Sequence, residues 1–84
     1  MDAYALIESA SYSPEALKAI RQAFDEAWQQ VAGNFGDDTR DAERARLRLA
    51  RALLSLAHED SHDVGVLRRA ALERMALDYR TPSP

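Results

Sequence analysis

Apolar residues recur at steps of three and four along three stretches of the chain. Leu17, Ile20, Phe24, Ala27, Trp28 and Val31 make the first series, with Ala16 and Ala23 in the same arc. At about 100° per residue they fill one side of a helix. Lys18, Gln22, Asp25, Glu26 and Gln29 fill the other side. Ser13-Pro14-Glu15 opens this helix, since Ser13 can accept from an early backbone N–H and Pro14 suits the first helical position. Gly33 is expected to close it in a left-handed cap. Arg21 and Asp25 stand four apart and are expected to pair.

The second series begins after Asp38 or Thr39, either of which can cap, and runs to about His58. Ala42, Ala45, Leu49, Leu53 and Leu56 form its centre. Leu47, Ala50, Leu54 and Ala57 extend one flank and Ala52 the other. The arc spans roughly 220°, twice the width that serves a surface helix. Such a helix touches several neighbours, or part of its arc meets another chain. Asp60, Ser61 or Asp63 caps the third series, which continues to about Tyr79. Val64, Leu67, Ala71, Met75 and Tyr79 form the main stripe, and Val66, Ala70 and Leu77 a second, weaker one.

Residues 1–12 read as a short helix or an arm, and the two prolines of residues 81–84 stop any helix. The expected fold is all-α: an antiparallel three-helix bundle over residues 13–80, with a short amino-terminal helix or arm. Composition agrees. There are 16 alanines and ten leucines among 84 residues, and both favour helices. Ile, Val and Thr, which a sheet would want, are scarce.

The net charge of −3 gives no overall pull toward nucleic acid. Cysteine is absent, which excludes a disulfide scaffold. No apolar run approaches the roughly 18 residues of a membrane span. Asp2 and Glu8 near the start do not resemble a signal peptide. A cytoplasmic location without membrane contact is the expectation.

His58-Glu59-Asp60-Ser61-His62 matches the H-E-x-x-H spacing of zinc peptidases. That chemistry needs an unbroken helix and a third ligand. Here Asp60-Ser61 reads as a helix break, and no other histidine exists. A solvated turn is the preferred reading, with at most adventitious zinc. With no cysteine, no Gly-rich phosphate loop and serines at caps and breaks, no catalytic, cofactor or metal residue is assigned. The expectation is a protein that is not an enzyme.

Arg44, Arg48 and Arg51 share the outer face of the second helix with Ser55 and are candidate phosphate contacts. The face lacks stacking aromatics, so a small nucleic-acid-associated regulator is the alternative reading. Arg46 lies inside the apolar arc. It either snorkels or pairs with a carboxylate such as Asp25 or Glu26. Trp28 sits at the edge of its arc, and aromatics anchor interfaces. Tyr4 and Tyr12 are placed where a partner could reach them.

Three segments carry a resemblance: Ala23-Phe24-Asp25-Glu26-Ala27-Trp28, Arg46-Leu47-Arg48-Leu49-Ala50 through Leu54, and Ala70-Ala71-Leu72 through Tyr79-Arg80. Together they resemble a group of short helical proteins of alphaproteobacteria that has no established activity. The resemblance covers about residues 13–80 and assigns no function to any position. The surplus apolar faces favour a helical protein–protein interaction module, self-associating as a dimer or binding another protein. Its candidate interface is Trp28, Arg46, Leu47, Leu54, Val66 and Leu77.

Overall fold

The computed structural model describes the backbone of residues 3–35, 39–57 and 63–80, and the side chains of 3–33, 39–57 and 63–75. Four α-helices follow one another: α1 (Ala3–Glu8), α2 (Pro14–Val31), α3 (Thr39–Leu56) and α4 (Val64–Arg80). A 3₁₀ turn, Ala32–Phe35, follows α2. No strand occurs among the described residues.

Local signals set the helix starts. The Ser13 hydroxyl accepts from the Ala16 N–H at 3.2 Å, with Pro14 in the first turn of α2. Asp63 accepts from the Val66 N–H at 3.1 Å and opens α4. The helix ends differ from expectation. α2 stops at Val31, and the Ala32 N–H still donates to the Trp28 carbonyl from a right-handed helical conformation. The chain tightens into the 3₁₀ turn instead of reversing through a left-handed Gly33, a common way to finish a helix. α3 ends two residues before the expected His58. The Tyr12 hydroxyl lies 3.1 Å from both the Leu54 and Ala57 carbonyl oxygens. It supplies a donor at the carboxy-terminal end of α3, where a helix runs out of partners for its own carbonyls.

The core lies where the four helices meet. Ile7 from α1, Ile20 and Phe24 from α2, and Leu49 and Leu53 from α3 are its largest fully buried side chains. α4 adds Leu67, Ala71 and Met75. Many remaining core positions are alanine, which lets helix backbones approach closely. α3 packs against all three other helices, and α4 packs against α2 and α3. The broad arc of α3 therefore has neighbours within its own chain. Ala50, Ala52 and Ala57 are buried, and Leu47 and Leu54 pack half-buried against the core.

α1 is an integral piece of this core. Ala3 and Ile7 are buried, and Tyr4 and Leu6 pack against the buried cluster. Arg21 reaches Glu8 at 3.1 Å, joining α1 to α2, where the sequence suggested Asp25 as its partner. Asp25 instead accepts from the Tyr4 hydroxyl. Both groups of the Arg21–Glu8 pair are about half exposed, so the pair contributes about 0–1 kcal/mol.

Candidate functional site

Arg46 is the most unusual charged side chain of α3. Its guanidinium carbon stands 5.6 Å from the ring centres of Tyr4 and Phe24 and 5.9 Å from that of Trp28. Tyr4 and Phe24 meet edge to face, 5.3 Å apart. α1 and α2 thus build an aromatic nest around a cation of α3, which the negative ring faces attract. The expected carboxylate partners are engaged elsewhere. Asp25 holds the Tyr4 hydroxyl, and Glu26 accepts from Arg68 of α4 and from Gln22. The Arg46 Nε is buried without a hydrogen-bond partner.

The nest places Tyr4 and Trp28 half-buried against the chain's own core. Tyr4 ionises above its usual pKa of 10.0. The hydrogen bond to Asp25 is the main cause, followed by burial and the Asp25 charge; Arg46 and Arg21 oppose the rise. Tyr12 is likewise engaged within the chain, on the end of α3.

A different arginine cluster lies where α3 and α4 form a surface cleft of about 340 Å³. Arg48, Arg51, Ala52 and Ser55 of α3 line it together with Arg74 of α4. The sequence placed Arg48, Arg51 and Ser55 on one face. It did not reveal Arg74, because wheel geometry within one helix says nothing about the next helix. Arg44 is exposed and does not line the cleft. Among the described residues no acidic side chain lines the cleft. Arg48 has a contact of its own within the chain.

The outer face of α4 is the third feature. Val66 is 59% exposed, the one large hydrophobic residue left exposed among those described. Ala70 beside it is half-buried, and Arg69 and Glu73 on the same face are exposed. Arg69 and Glu73 stand four apart, yet no ion pair joins them.

Of the expected interface, Trp28, Arg46, Leu47 and Leu54 face the chain's own core at least in part. Val66 faces outward, and the Leu77 side chain lies outside the described residues. His58 and His62 also lie outside them. Among the described residues no three His, Cys, Asp or Glu side chains gather as a metal site. No described helix is long and apolar enough to cross a membrane. Comparison with protein-family models, with curated proteins and with solved structures finds no match to this chain.

Proposed function

We propose that the protein is a helical interaction module without enzymatic activity, and that a second copy of itself is its partner. The observation that supports this is the outer face of α4, where Val66 alone among the described large apolar side chains stays exposed. The face is self-complementary in charge. When two copies of α4 cross in opposite directions near Ala70, Arg69 of each approaches Glu73 of the other. A two-fold interface has this reciprocity. Ala70 at the centre permits close approach of the two backbones.

The same reading takes α2, α3 and α4 as an antiparallel bundle with α1 laid against α2 and α3. The short connections between successive helices support that arrangement. An ordinary interface would bury roughly 800 Å² on each copy, so residues beyond this stripe would contribute.

Sedimentation equilibrium of the wild type and Val66→Glu tests the reading. A dimer is expected for the wild type and a folded monomer for the variant. A wild type that stays monomeric at high concentration, or a Val66→Glu dimer of unchanged strength, would contradict it.

A further inference from the structure

We propose that the cleft between α3 and α4 is a binding site for a dianionic phosphate group, free or as a monoester on a small molecule. Two helices bring three guanidiniums to one concave surface, in a chain whose net charge is −3. The protein has more acidic than basic residues, yet among the described residues no carboxylate lines this cleft. Arg51 and Arg74 make no ion pair or hydrogen bond among the described residues. Arg46, two residues before Arg48 on α3, is by contrast held among three rings. The cleft therefore gathers positive charge from two helices, and among the described residues that of Arg51 and Arg74 meets no carboxylate.

The ligand class follows from the chemistry of the lining. Guanidinium groups are planar forks that match phosphate oxygens two at a time. A phosphate monoester carries about −1.5 to −2 charges at neutral pH and three acceptor oxygens. Arg51, Arg74 and Arg48 approach from both helices, and Ser55 supplies a hydroxyl that now donates to the Ala52 carbonyl at 2.9 Å. Ala52 gives a small apolar floor for the carbon part of an ester. A polynucleotide fits less well. Among the described residues no aromatic side chain lines the cleft to stack a base, and Arg44, the next cation along the helix, lies outside it. The site is independent of the self-association proposed above.

Isothermal titration calorimetry at low ionic strength tests the site, with inorganic phosphate and glycerol 3-phosphate as ligands. Saturable binding is expected. Arg51→Gln and Arg74→Gln should each weaken it by about tenfold, the loss of a charge-assisted contact. Arg44→Gln should leave it unchanged. Arg51→Lys, which keeps the charge and loses the fork, should fall between. Affinity should rise between pH 5 and 7.5, as the phosphate passes its second pKa of about 6. Equal affinity for the two ligands would mean that the phosphate alone is read. Tighter binding of the ester would mean that the cleft also holds its carbon part.

Absence of saturable binding would overturn the proposal. So would an Arg44→Gln loss equal to that of Arg51→Gln, which would indicate diffuse attraction. Single-stranded RNA that binds far more tightly than either ligand, with Arg44 required, would replace this site with an extended nucleic-acid surface. Each variant changes an exposed side chain, and circular dichroism would show that the helices persist.

Discussion

α3 and α4 both carry more apolar residues than one packed face requires, and the structure treats the two surpluses differently. The excess on α3 is absorbed internally. α1, α2 and α4 all pack against it, Leu47 and Leu54 lie half-buried, and even the charged intruder Arg46 sits among three rings. The second stripe of α4 has no such cover at Val66. A wide apolar arc is thus a statement about the number of neighbours. Where those neighbours come from is decided by the chain around it, here by a six-residue helix that precedes the three longer ones.

The largest effect should come from the residue that anchors this internal cover. Ile7 is fully buried, and Ile7→Ala should destabilise the protein by about 2–5 kcal/mol in urea unfolding. A cost near zero would mean that α1 is dispensable and that α3 is covered in another way. Arg46→Ala should cost less, about 1–2 kcal/mol, from lost cation–π attraction and stem packing. Arg46→Leu should recover much of that loss, because it keeps apolar contact and removes the unpaired Nε. If Arg46→Leu is as damaging as Arg46→Ala, the guanidinium has a polar role that the ring contacts do not supply.

The smallest effect is a dependence on pH. Tyr4 ionises above 10.0 in the folded protein, chiefly through its bond to Asp25. The folded state therefore holds the Tyr4 proton more tightly than the unfolded chain does. The stabilisation is fully present below pH 10 and is lost as pH rises through the higher folded value. The stability difference between wild type and Tyr4→Phe should be constant up to about pH 10 and shrink above it. A difference that does not shrink would show that the Asp25 bond adds nothing to the anchoring of α1.

Features governed by neighbours in sequence were legible from the sequence. Ser13 with Pro14 is a helix start that depends on a few adjacent atoms and occurs as local chemistry dictates, and of the three candidate caps Asp60, Ser61 and Asp63 the structure shows Asp63 in that role. The buried positions Ala16, Ile20, Ala23, Phe24 and Ala27 of α2 and the central positions Ala45, Leu49 and Leu53 of α3 follow from periodicity alone. Ala19, by contrast, is buried outside the expected arc, and Leu17, Trp28 and Val31 within it are only half-buried. Long-range pairings were hidden. Arg21 takes Glu8 because α1 brings that carboxylate into range, which no i,i+4 rule registers. Tyr12 reaches carbonyls more than 40 positions away. Arg46 looked like a candidate for an ion pair because the wheel shows its place in the arc and says nothing of the rings of Tyr4, Phe24 and Trp28. The cleft was visible in part, as Arg48, Arg51 and Ser55. Its completion by Arg74 required the packing of α4 on α3.

The contrast between the covered helix and the uncovered one is tested most directly by the solution mass of three proteins at one concentration. These are the wild type, Arg69→Glu, and Arg69→Glu combined with Glu73→Arg. If the outer face of α4 meets a second copy of itself, the single reversal sets like charges against each other and yields a monomer. The double exchange restores opposite charges and returns the dimer of the wild type. One and the same mass for all three proteins would contradict the account, because the Arg69–Glu73 face would then take no part in association.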